Sequence, residues 1–92
     1  MISLRALATV YAARTVDADG FDLEGEPLRS SVERAIRADI DASSTTIARL
    51  LPEETCPNAY RGELRSARHR LKVASADLVD VTAMRLEVTA AE

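Results

Sequence analysis

Apolar residues recur in alternating steps of three and four along the last third of the chain: Leu64, Ala67, Leu71, Ala74, Leu78, Val81, Arg85 and Val88. That spacing predicts a helix with one buried seam. Arg85 is the one break, placed where the seam should be dry. The helix is expected from about Ala59 to Val88. Its end carries a competing signal, because Met84, Leu86, Val88 and Ala90 alternate with Arg85, Glu87 and Thr89 as in a strand. Val79, Val81 and Thr82 add β-branched weight to that alternative.

Three further segments precede the ladder. Ser3 to about Arg14 places Leu4, Leu7, Ala8 and Tyr11 at helical spacing, with Ser3 positioned to cap. The same stretch alternates as a strand through Ile2, Leu4, Ala6, Ala8 and Val10, but alanine favours helix. Residues 17–27 (DADGFDLEGEP) read as loop, with Phe21 and Leu23 expected to tuck onto the bundle. A second helix is predicted from Ser30, where Ser30 and Glu33 make a capping box, to about Leu51. Val32, Ile36, Ile40, Ile47 and Leu51 give its apolar face. Ser43 to Thr46 place four hydroxyl side chains in mid-helix, where they compete for backbone hydrogen bonds, and a bent but continuous helix is expected. The connector at 52–58 is short enough to make the two long helices antiparallel neighbours.

The predicted fold is therefore all-α: an antiparallel hairpin of two long helices plus a short N-terminal helix. It is a single small domain over residues 1–92, with a loop at 15–29. The alternative is α+β, with strands at residues 2–11 and 81–90.

Composition changes this picture in one respect. Of the 92 residues 47% are hydrophobic, yet much of that share is alanine, with one Phe, two Tyr and no Trp. Alanine removes little area from water, at roughly 25 cal/mol per Å². Cys56 is alone, so no intrachain disulfide can staple the fold. Self-association or docking into a larger assembly is the expected supplement. Val79, Met84, Arg85, Leu86 and Val88 form the expected association interface, because the last helix becomes apolar outside its seam there. A partner's acid would account for Arg85. Asp39 of the second helix is a second candidate mate for it, and escape to solvent at the helix end is the third reading.

A lone cysteine fits a reducing, cytoplasmic setting. No stretch approaches the roughly 18 apolar residues of a membrane span, and the short apolar run Ala6–Ala13 lacks a clean cleavage site. Arginine dominates the basic residues, Lys72 is the only lysine, and there is no glutamine, as expected of a GC-rich microbe or its phage.

Charge supplies the candidate chemistry. Arg61, Arg65, Arg68 and Lys72 fall at i, i+4, i+7 and i+11, on one stripe beside the ladder, flanked by His69 and Arg70. Such a stripe grips phosphates or an acidic protein face. Arg61, Arg65, Arg68, Arg70 and Lys72 are thus the candidate partner-binding residues. Cations near a helix N-terminus oppose the macrodipole, so Glu53, Glu54 and Glu63 are candidates to neutralise them, which would leave a solvated face. The net charge of −3 disfavours general attraction to nucleic acid. An acidic protein or a second copy is the first expected partner and nucleic acid the second. The acids of residues 17–26 depart from a calcium loop in the position of Gly20, so no metal is expected. No GxSxG, HExxH or CxxC occurs, and no enzyme activity or cofactor is expected.

Overall fold

A computed structural model describes residues 3–15, 19–51 and 58–91, with side-chain surroundings from residue 61 to 84 in the last stretch. Three helices account for the fold: α1 (Leu4–Ala12), α2 (Gly25–Leu50) and α3 (Asn58–Ala91). The all-α hairpin is the observed architecture. Residues 4–11 and 81–90 are helical, so the strand alternative falls. Extending an existing helix adds one hydrogen bond per residue fixed, and alanine meets no steric cost in doing so.

Helix α1 starts as predicted. Ser3 is extended, and its Oγ accepts a hydrogen bond from the Ala6 N–H at 3.1 Å. Helix α2 starts five residues earlier than expected. Gly25, at φ 62°, turns the chain in, and Pro27 occupies the first turn, where its missing N–H has no partner to lose. The Ser30–Glu33 capping box does not form. Ser30 Oγ donates to Glu26 Oε1, and Glu33 is engaged with arginines instead.

Those arginines explain the early start. Arg29 is only 2% exposed and donates to both carboxylate oxygens of Glu26 at 2.7–2.9 Å and to Glu33 at 3.0 Å. Arg37 reaches Glu33 from the next turn at 3.3 Å. The i+3 and i+4 spacings put all four on one face, and Glu26 also favours the positive helix N-terminus. Burial alone would raise the Glu33 pKa. The hydrogen bonds and charges of Arg29 and Arg37 outweigh it and leave the group below the ordinary carboxylate range.

Through Ser43–Thr46 the helix is continuous. Ser44 and Thr45 face solvent, while Ser43 is buried against α3's side of the hairpin. Arg70 pairs with Asp39, and Glu63 pairs with Arg49 at 2.7 Å. The reversed order of these contacts makes α2 and α3 antiparallel. Leu64, Ala67, Ala74 and Val81 of the ladder are buried, and Leu71 and Leu78 are half-buried. Met84 belongs to the same core, at 8% exposure. It is therefore not the off-seam residue expected of it, because the seam drifts around a straight helix and takes a three-residue step after Val81. The side chains of Arg85, Leu86 and Val88 lie outside the described residues.

Helix α1 covers only half of the hairpin. Leu7, Ala8 and Tyr11 join Leu28, Val32 and Ile36 of α2 and Ala74, Val81 and Met84 of α3 in one cluster. At the other end Leu50, Leu64 and Ala67 are buried without α1. The molecule measures 53 × 23 × 17 Å, its long axis matching the roughly 51 Å of a 34-residue helix.

The loop before α2 is pinned by arginines. Arg5 donates to the carbonyls of Phe21 and Leu23, both at 3.3 Å, and Arg34 donates to that of Asp19 at 3.2 Å. Phe21 packs on the core as expected. Leu23 does not: it is 46% exposed, because the Gly20–Leu23 turn directs it outward. Gly20 has φ 87°, and a Cβ there would meet Ser31 Oγ at 2.1 Å.

Gly20→Ala is accordingly expected to cost roughly 2 kcal/mol, more than Gly25→Ala, whose Cβ would meet open space. Urea denaturation of G20A, S31A and the double variant should show positive coupling, since removing Ser31 Oγ relieves part of the clash. Glu33, with its pKa lowered, contributes stability that is present above the ordinary glutamate value of about 4.3 and is lost as pH falls through its folded value. Glu33→Gln should therefore flatten the fall in stability below pH ~4, measured by thermal melts across acid pH.

Candidate functional site

The first half of α3 displays its cations on one side. At 100° per residue Arg61, Arg65, Arg68 and Lys72 fall within about 60° of one another, on the flank of the buried seam. All four are exposed. Arg61, Arg65 and Arg68 surround Leu64 and with it enclose a shallow hollow of about 350 Å³. Leu64 is 3% exposed and forms its apolar base. His69 is exposed beside the stripe.

Arg70 stands apart from the others. It lies on the opposite flank of the seam, where it donates to Asp39 of α2. The sequence grouped it with the stripe through proximity in number. Glu63 is likewise diverted, since it holds Arg49 across the hairpin and is not the neutralising partner expected for the stripe. Arg61 and Arg65 enter no ion pair among the described residues. Glu53 and Glu54 lie outside those residues, as does Cys56. Val79 continues the line of Arg61 five turns further on and is 69% exposed, the most exposed large apolar side chain described.

A second polar centre ties α1 to the hairpin. Tyr11 is 1% exposed, and its hydroxyl donates to Asp77 Oδ2 at 2.7 Å. Arg14 stacks over the Tyr11 ring, 5.4 Å from its centre, and reaches Asp39 Oδ2 at 3.6 Å. Asp39 thus sits between Arg70 and Arg14. Asp39, one candidate mate for Arg85, is set level with Arg70 by the antiparallel register, about four turns earlier in α3, and the Arg85 side chain lies outside the described residues. Asp39 Oδ2 and Ser43 Oγ are buried with no hydrogen-bond partner among the described residues. Two small clefts, of about 170 and 150 Å³, flank this centre between the helices, and Arg70 lines both.

Burial pushes the Tyr11 pKa well above the ordinary tyrosine range. The hydrogen bond and charge of Asp77 add to the rise, and the nearby Arg14 opposes it. The hydroxyl is thus held in its neutral, donating form. Nothing in the sequence signals a contact between residues so far apart. The Glu26–Arg29–Glu33–Arg37 spacing, by contrast, was readable from the sequence and marks a structural ladder.

Among the described residues no group of His, Cys, Asp or Glu is gathered as a metal site. The side chains of Asp19, Asp22 and Glu24 are exposed, and Asp17 lies outside the described residues. None of the helices is long and apolar enough, within those residues, to cross a membrane.

A tyrosine with a raised folded pKa contributes stability in full below its unfolded value of about 10, and that contribution is lost as pH rises beyond it. Stability should therefore decline above pH ~10, with tyrosinate absorbance from Tyr11 appearing only on unfolding. Tyr11→Phe is expected to cost about 1 kcal/mol at neutral pH and to remove this alkaline decline, as read by absorbance-monitored titration and urea melts. Comparison of the chain with protein-family models, with curated proteins and with solved structures finds no match.

Proposed function

We propose that this chain is a non-enzymatic helical interaction module that self-associates or docks into a larger protein assembly through the cationic first half of α3. The observation that carries this reading is the exposed stripe of Arg61, Arg65, Arg68 and Lys72, with Glu63 drawn away to Arg49. Arg61 lies near the first turn of α3, where a cation opposes the helix macrodipole, and Arg61 and Arg65 are like charges at i and i+4, which repel. An acidic protein face relieves both effects on contact, and bidentate arginine–carboxylate pairs fix its orientation. The half of the hairpin that bears the stripe is only two helices thick, which suits a surface completed by a partner. A cytoplasmic setting belongs to the same reading. Among the described residues the side chains with a displaced pKa, Tyr11, Arg29 and Glu33, are engaged in structural contacts, between helices for Tyr11 and within α2 for the other two, which favours a binding role over catalysis.

A second reading is nucleic-acid binding by the same stripe. Its specific support is the hollow enclosed by Arg61, Arg65 and Arg68, since clustered guanidinium groups also suit phosphate. The net charge of −3 weighs against it.

Light scattering on the purified chain is expected to give a concentration-dependent mass above 10.0 kDa, or a heavier complex with an added acidic protein. Both should be lost in R61E/R65E with helicity unchanged. Retention of a DNA or RNA fragment in a gel shift, falling steeply with salt, would instead select the second reading. A monomer that binds neither class of partner removes both.

A further inference from the structure

We propose that the chain docks on itself head to tail, the acidic turn Gly20–Glu24 of one copy seating in the arginine hollow of the next. This rests on reading the stripe as a protein-docking surface, and it names the occupant.

The two surfaces are complementary in charge and in shape. The turn presents Leu23, 46% exposed, between Asp22 and Glu24, which are both exposed. Neither acid enters an ion pair among the described residues. The hollow offers the converse arrangement: the nearly buried Leu64 at its floor and the aliphatic stems of Arg61, Arg65 and Arg68 beneath their guanidiniums, around a space of about 350 Å³. An exposed leucine between acids fits an apolar base among guanidiniums. The apolar contact excludes water, and the surrounding charges set the orientation.

The turn is also held in shape before any contact is made. Leu23 N–H closes it on the Gly20 carbonyl at 3.2 Å. Arg5 holds the carbonyls of Phe21 and Leu23, Arg34 holds that of Asp19, and Phe21 anchors the turn in the core. Such a segment loses little conformational freedom on binding. Two arginines spent on three backbone carbonyls hold a turn whose leucine faces water, which the isolated chain gains nothing by doing.

Geometry forbids the contact within one copy. The hairpin register puts the start of α2 level with the region of Met84, about 30 Å along α3 from Arg65 at 1.5 Å per residue. The two surfaces therefore face opposite ends of the 53 Å molecule. Each copy offers both patches, one at each end, so the contact is either reciprocated in an antiparallel two-fold pair or repeated along a chain of copies. The contact is small and charged, so it is transient and weakened by salt.

Two variants, each with one disabled end, test this directly. R61E/R65E removes the hollow, and D22K/E24K reverses the turn; all four side chains are exposed, and circular dichroism checks that each variant folds. In sedimentation velocity at about 100 µM protein and low salt, the wild type should run heavier than a monomer and each variant alone as a monomer. Their equimolar mixture should regain association, because each variant keeps one working end and the two charge-reversed ends again attract. A mixture that stays monomeric, or a variant that associates alone, overturns the proposal. Polyglutamate binding separates its failure from that of the docking reading beneath it. A monomeric wild type that binds polyglutamate, with binding lost in R61E/R65E, overturns only self-docking. A monomeric wild type that binds none overturns both.

Discussion

The packing of α3 against α2 along one narrow seam is the constraint on which the rest of this structure depends. The α3 side of that seam alternates the small side chains Ala67, Ala74 and Val81 with the larger Leu64, Leu71, Leu78 and Met84. The small side chains bury little apolar area, so the seam contributes modestly for its length. The larger buried side chains, Leu7, Tyr11, Leu28 and Ile36, are concentrated where α1 lies across the hairpin. The molecule is consequently uneven along its length. One end has three helices around a continuous core, and the other has two helices closed over Leu50, Leu64 and Ala67.

Polar contacts fix how those helices are aligned. Buried Asp39 paired with Arg70 fixes the hairpin register, and the exposed Glu63–Arg49 pair conforms to it. Tyr11 with Asp77 and Arg14 with Asp39 place α1 against both partners. A buried carboxylate such as Asp39 has lost its water and must be matched by cations from both sides. Ion pairs of this kind add little net stability but penalise a shifted register, because a slip of one turn leaves a charge buried alone. Arg29 acts differently. Its two carboxylates come from its own helix, so it organises the start of α2 and leaves the tertiary register to others.

The same pairing scheme distributes the remaining charge. Because Glu63 is held by Arg49 across the hairpin, it does not neutralise Arg61 and Arg65, and the turn before α2 keeps its acids because the neighbouring Arg5 and Arg34 are spent on backbone carbonyls. The separation of cationic and acidic surfaces is thus a by-product of how the fold is held. The proposed interaction uses that separation.

The three helices, the seam of α3, the Ser3 cap and the cationic stripe are legible in the residue order, because each rests on periodicity or on local hydrogen bonding within a few residues. The residue order misplaced the start of α2. Ser30 and Glu33 matched a capping box, yet Glu26 and Pro27 offered a first turn further upstream, and the spacing of Glu26, Arg29, Glu33 and Arg37 was legible support for it. Periodicity also could not tell which flank of the seam each cation occupies once α2 is in place, so Arg70 was grouped with the stripe. That Met84 enters the core, that Leu23 faces outward and that Asp39 meets Arg70 and Arg14 follow from the packed helices alone. Those outcomes depend on the register between helices and on where α1 lies. Register is set by contacts between residues distant in the chain, and no local pattern carries that information.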